Sequence, residues 1–141
     1  YLEEADVEFN LHTAYNQKIS INVKTVSKDE LLAKADFISL HIPGGQGYVL
    51  DKEDFSKMKN DVGIVNCARG GTINEDALLE AIDANKVSYA ATDVFESEPP
   101  VDERILRVDS VGLSPHIGAS TQEAQERVGI ELAEKIIAHF K

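Results

Sequence analysis

Short apolar runs separated by polar, turn-rich stretches set the rhythm of the chain. Phe37-Ile38-Ser39-Leu40-His41-Ile42, closed by Pro43, reads as a buried strand. Val62 to Asn66, Val87 to Val94 and Ser110 to Leu113 read the same way, each running into glycines, prolines or charged residues. Ile19, Ile21 and Val23 alternate as in a further short strand. Between these runs lie capped helical stretches. Ser27-Lys28-Asp29-Glu30 has the spacing of a capping box and opens a helix through Lys34, Asp51 starts a short helix through Lys59, and Asn74 caps a helix from Glu75 to Ala84. A second box, Ser120-Thr121-Gln122-Glu123, starts the longest helix, Thr121 to His139, with an apolar stripe of Ala124, Val128, Leu132 and Ile136. The first 18 residues show no clear period and read as loop, with a helical turn at Tyr1 to Asp6. One turn is expected near Glu103 to Leu106, beyond a double proline that no helix or central strand tolerates.

Buried strands alternating with helices predict an α/β class with a doubly wound parallel sheet. The 141 residues, 43% of them hydrophobic, suffice for one core and are too few for a β/α barrel. With 14 Lys and Arg against 25 Asp and Glu, the net charge of −11 argues against nucleic acid and anionic membrane partners. No apolar run nears the roughly 20 residues of a membrane span, and the acidic start is unlike a signal peptide, so a cytoplasmic location is expected. The single cysteine rules out an internal disulfide framework, and no element carries metal-ligand spacing.

Polar residues follow successive strands at His41 to Pro43, Cys67 to Arg69, Asp93 to Glu98 and Ser114 to Gly118. Parallel strands point their carboxyl ends the same way, so these stretches should share one rim, where open α/β sheets bind ligands. On that rim Arg69, in a turn with Gly70 and Gly71, admits two readings: a paired-donor site for a carboxylate, or a cap on a neighbouring loop. His116 can move a proton near neutral pH, and Glu98 can fix its tautomer and stabilise its charged form. Arg69, Glu98 and His116 are what reduction of a 2-oxo acid requires from side chains, with the hydride left to a cofactor. Cys67 has no activating histidine or helix start and is expected to be a small, half-buried residue. His41 reads as a structural hydrogen-bonding group, His12 and His139 as solvent-facing, and Glu96 and Asp102-Glu103 as a solvated acidic loop.

From about Asp36 onward the chain resembles the nucleotide-binding domain of the D-isomer-specific 2-hydroxyacid dehydrogenases. The resemblance rests on Leu40-His41-Ile42-Pro43, Val65-Asn66-Cys67-Ala68-Arg69-Gly70-Gly71, Asp93-Val94-Phe95-Glu96-Ser97-Glu98-Pro99 and Ser114-Pro115-His116-Ile117-Gly118-Ala119-Ser120-Thr121. It implies a Rossmann-like fold, NAD as cofactor and a small 2-hydroxy or 2-oxo acid as substrate. It further implies that Arg69 binds the substrate carboxylate and that His116 exchanges the proton. Glu98, rather than Glu96, would orient the histidine, because the family's glutamate directly precedes the proline. Ile42, Pro43, Cys67, Ala68, Asp93, Ile117, Gly118 and Ala119 would border the dinucleotide, together with Arg69 and His116, Asp93 at its nicotinamide end. A homodimer or higher homo-oligomer is implied as well. The run Ser120 to Gln125 is most similar to the branch that oxidises 3-phosphoglycerate in serine biosynthesis; the same chemistry on glyoxylate, hydroxypyruvate or lactate is the alternative. A rival of another class is a dinucleotide-sensing binding protein of the corepressor type.

The chain departs from the family at its start. A dinucleotide-binding domain opens with a strand, a Gly-x-Gly-x-x-Gly turn and a helix. Gly45-x-Gly47 has neither the spacing nor the context, and reads as an ordinary turn. Glu3 and Glu4 fall near the family's ribose-binding carboxylate, and neither is assigned that role. Residues 1–141 are therefore expected to be the C-terminal portion of such a domain, without its first strand, glycine-rich turn, first helix or substrate domain, and to be inactive in isolation.

Overall fold

The computed structural model describes residues 6–12 and 18–140, and the side chains from residue 24 onward. Tyr1 to Ala5, with Glu3 and Glu4, lie outside the described residues, as does the side chain of His12.

The chain begins with a two-stranded antiparallel sheet, β1 (Asp6–His12) and β2 (Lys18–Lys24), in a register that sets Phe9 against Ile21. This corrects the expected opening loop. Val7, Phe9 and Leu11 carry the same period of two as Ile19, Ile21 and Val23, the signature of a hairpin.

The second sheet carries the site. β3 (Phe37–Leu40), β4 (Val62–Asn66), β5 (Val87–Thr92) and β6 (Val111–Leu113) lie side by side in chain order, all parallel. Ile38, Ile64, Ala90 and Val111 form one row across the sheet, and all are buried. Helices α1 (Lys28–Lys34), α2 (Lys52–Lys57) and α3 (Glu75–Asp83) cover that face, contributing Leu32, Phe55 and Leu78 to a core that also takes in Met58, Val87 and Ile105. Helices bridging the parallel strands make this a Rossmann-like α/β fold.

Caps explain where the helices start. Ser27 Oγ accepts the Glu30 amide at 3.2 Å, but the expected reciprocal half of that box is replaced by an ion pair, Lys34 Nζ donating to Glu30 at 2.7 Å. Asp51 and Asp54 complete a reciprocal box on α2, and Asn74 Oδ1 accepts the Ala77 amide at 3.0 Å on α3. β3 and β5 stop two residues before their apolar runs do, and α2 two residues before Lys59. The expected turn near Glu103 is a short 3₁₀ turn at Ile105–Arg107.

The last helix, α4 (Gln122–His139), is capped by Thr121, whose hydroxyl accepts the Ala124 amide at 3.1 Å, so Ser120 is not the cap. Its apolar stripe packs on no described element: Val128, Leu132 and Ile136 are all at least half exposed. The sheet face opposite α1–α3 is equally bare among the described residues, showing Phe37 (84% exposed), Val65 and Tyr89. The doubly wound expectation is thus met on one face.

Candidate active site

Each strand of the parallel sheet ends in a turn held by its own polar residues, and these turns meet at one rim. At the end of β4, buried Asn66 donates to the Arg69 carbonyl at 3.2 Å and to Thr72 Oγ1 at 3.1 Å, and accepts the Ala68 amide at 3.2 Å. Thr72 Oγ1 in turn donates to the Arg69 carbonyl at 2.7 Å. These bonds hold the turn that displays Arg69, and neither Asn66 nor Thr72 was singled out in the sequence. Gly71 takes φ 68°, the left-handed region. Gly70 is required for a different reason: a Cβ there would sit 1.8 Å from the Phe95 carbonyl oxygen. The arginine turn therefore lies directly against the backbone that follows β5.

Arg69 is exposed, and its Nη1 donates to the carbonyl of Ala68 at 2.6 Å. Its aliphatic stem passes Gly44, where an added Cβ would come within 3.1 Å of Arg69 Cβ. Ala68 is buried, but Cys67 is exposed, which corrects the half-buried reading: the strand has ended at Asn66, and alternation no longer fixes which way the next side chain points.

Glu98 and His116 meet. Glu98 Oε2 lies 2.6 Å from His116 Nδ1, and Glu98 Oε1 accepts the Phe95 amide at 3.2 Å. The His116 bond first, and the Phe95 amide second, hold the Glu98 carboxyl below the usual carboxylate range. Engaging Nδ1 leaves Nε2 available for proton exchange. His116 has φ 53°, left-handed backbone that costs a non-glycine residue about 1–2 kcal/mol. A conformation of that kind persists where its surroundings over-determine it.

Asp93 supplies that support. It is 4% exposed and accepts Ser114 Oγ at 2.6 Å, the Ile117 amide at 2.9 Å and the Gly118 amide at 2.7 Å. The Ser114 hydroxyl, ahead of the two amides, holds its carboxyl below the ordinary value. These bonds make it the clamp of the histidine loop, a role beyond the one the resemblance implied. Ile117, Gly118 and Ala119 are exposed beyond it, Ile42 is half-buried and Pro43 exposed at the end of β3. Ile42 and Pro43 also line a groove of about 510 Å3 with Leu40, Val49 and Leu50. His41 bonds Ser39 Oγ at 2.8 Å, a local structural contact. His139 is exposed, packed edge-on against Phe140.

The rim thus unites Glu98 and His116 by direct contact and sets the Arg69 turn beside them through Gly70, with no bond from Arg69 to either. Its donor set fits the nicotinamide and substrate end of a dinucleotide site: an exposed guanidinium, a carboxylate-backed imidazole and the small exposed residues Gly118 and Ala119. The pyrophosphate end is different, since no Gly-x-Gly-x-x-Gly spacing occurs in the sequence. Among the described residues no cluster suited to a metal ion occurs, and no helix is long and apolar enough to cross a membrane.

The family described as "D-isomer specific 2-hydroxyacid dehydrogenase, NAD binding domain" matches residues 1–118. A hydroxypyruvate reductase of Thermotoga maritima is 53% identical over 119 residues, which is 81% of this chain and 39% of that protein. D-3-phosphoglycerate dehydrogenase 2, chloroplastic, of Arabidopsis thaliana is 48% identical over 125 residues, 86% of this chain and 20% of the relative. Among solved structures, the D-lactate dehydrogenase of Aquifex aeolicus complexed with NAD and lactic acid superposes with a TM-score of 0.69 at 32% identity, covering 82% of this chain and 40% of that one. The chain therefore spans well under half the length of these relatives.

Proposed function

The chain belongs to the D-isomer-specific 2-hydroxyacid dehydrogenases through their NAD binding domain, and from that premise we propose that the protein carrying it interconverts a D-2-hydroxy acid and its 2-oxo acid. Residues 1–141 serve as the C-terminal portion of the dinucleotide-binding domain, and the glycine-rich turn and substrate domain come from other parts of the protein. The observation that carries this reading is the 2.6 Å contact of Glu98 with His116 on the rim that also displays Arg69. NAD, when bound, supplies the hydride. Arg69 binds the carboxylate with paired donors and polarises the adjacent carbonyl. His116 Nε2 gives a proton to the developing hydroxyl in reduction and takes it back in oxidation, while Glu98 holds the ring through Nδ1 and favours its charged form. Ile42, Pro43, Cys67, Ala68, Asp93, Ile117, Gly118 and Ala119 border the cofactor.

The substrate we favour is 3-phosphoglycerate, with 3-phosphohydroxypyruvate as product, in serine biosynthesis. The run Ser120-Thr121-Gln122-Glu123-Ala124-Gln125 and the Arabidopsis relative support it. Hydroxypyruvate is the second reading, supported by the more identical Thermotoga relative. The protein is further proposed to be cytoplasmic and homo-oligomeric. The test is NAD-linked turnover of the full-length protein on 3-phosphoglycerate, glycerate and D-lactate. Arg69→Ala should lower kcat/KM about 100-fold or more while NAD affinity changes little. Equal loss of both would remove Arg69 from the substrate site, and cofactor binding with no turnover of any acid would favour the dinucleotide-sensing alternative.

A further inference from the structure

The loop that carries Glu98 is tied down on both sides of that residue, and both ties run to the first turn of α3. Upstream, the Glu96 amide donates to Glu75 Oε1 at 2.7 Å, and the Glu75 amide returns the bond to Glu96 Oε1 at 2.8 Å. Glu75 is the first residue of α3, so its amide is one of the helix donors with no partner inside the helix. Downstream, Arg104 bridges Asp102 to Asp76, the next residue of α3. A third contact comes from the β3–α2 loop, where Tyr48 donates its hydroxyl to Glu96 Oε2 at 3.2 Å. Glu96 is exposed, as its acidic loop suggested, yet both of its carboxylate oxygens are engaged.

We propose that Glu75 and Glu96 are positioning residues for the proposed dehydrogenase reaction: their exchange of backbone amides fixes the Phe95–Glu98 segment so that Glu98 meets His116. The inference rests on the functional reading above and deepens it. The reciprocal pair acts one residue from Phe95, whose amide holds Glu98 Oε1 and whose carbonyl oxygen abuts Gly70. One short stretch of backbone thereby sets the distance between the arginine turn and the imidazole. Arg104 alone would hold it weakly, because its ion pairs are exposed to water. The charged groups around the pair are Asp76 and Asp102 near Glu75, Asp51 and Asp76 near Tyr48, and His116 and Asp93 near Glu98. Burial, the leading cause, holds the Glu75 carboxyl above its ordinary value.

The experiment uses the full-length enzyme with NAD and its acid substrate. Glu96→Ala and Glu75→Ala should lower kcat about ten- to hundred-fold, as small misplacements of reacting groups do. KM for the acid should change far less, because Arg69 stays on its own turn. The acid limb of the pH profile should also move, since the Glu98–His116 pair is no longer held at its wild-type separation. Glu96→Gln and Glu75→Gln keep an oxygen that accepts the partner amide, and should restore both kcat and the profile. Alanine variants with wild-type kcat and an unmoved acid limb would overturn the proposal. Should they fail to fold, amide exchange in the wild type decides: Glu75 and Glu96 amides protected like those of β5 support the pair, and unprotected amides overturn it. A wild type that turns over no 2-hydroxy acid would instead sink the functional reading, leaving the exchange result to judge the pairing itself.

Discussion

Asp93 shows how one buried carboxylate can set the shape of a loop that does the chemistry. Its two oxygens receive a hydroxyl and two amides, and the left-handed backbone at His116 lies between those anchors. Removing it in Asp93→Ala leaves three donors without their acceptor, at about 1–3 kcal/mol for each one that water does not reach. Hydrogen exchange should then quicken at Ile117 and Gly118, together with a fall in kcat. The pH dependence follows from the direction of the shift. A carboxyl whose folded pKa is depressed stabilises the fold above its unfolded value, near 3.8, and that contribution is lost as pH falls through the lower folded value. Protection of the Ile117 and Gly118 amides, corrected for intrinsic exchange, should hold down to about pH 4 and decline below it. Loss of protection already at pH 6 would show that another group controls the loop.

Gly70 joins two elements that sequence distance keeps apart, the turn after β4 and the loop after β5. Its neighbour is the Phe95 backbone, which cannot rotate away as a side chain could. Gly70→Ala should therefore destabilise the full-length protein by about 1–3 kcal/mol, read as a lower Tm, and weaken acid and proton chemistry together. A variant with unchanged Tm and activity would mean that the two loops are not in contact. This element scale is also where the sequence was most and least informative. Strand ends at Asn66 and caps at Asp51 and Asn74 were legible because capping is local chemistry, whereas the cap of α4 fell one residue beyond the expected Ser120. The choice of Glu98 over Glu96 came from the family resemblance, while the meeting of the loops of Glu98 and His116 was legible because parallel strands share a rim. The Glu75–Glu96 exchange was not, since nothing in a residue's neighbourhood announces a partner 21 positions away. The Val7, Phe9, Leu11 alternation, by contrast, is as regular as that of Ile19, Ile21 and Val23 and equally legible. The stripe on α4 was visible as a pattern, but a stripe states that one side can be buried and not against what.

At the scale of the whole molecule, one layer of helices covers one side of a parallel sheet, and the active rim is built on its carboxyl edge. Parallel sheets are ordinarily sheltered on both faces. Phe37, Val65 and Tyr89 on the open side, and separately the stripe of α4, leave more apolar surface exposed than a chain alone in water tolerates well. Produced as residues 1–141 only, the polypeptide should bind a hydrophobic dye, sediment as mixed aggregates that grow with concentration, and be rescued by mild detergent. Monodisperse, dye-silent material would contradict this. Phe37 lies at the start of β3, its ring packed over Gly63 of the neighbouring strand. A ribosome releasing this stretch before its surroundings were made would hand the cell a greasy plate in need of a chaperone's grip, so replacing Phe37 and Tyr89 by threonine offers a route to a tractable fragment for spectroscopy.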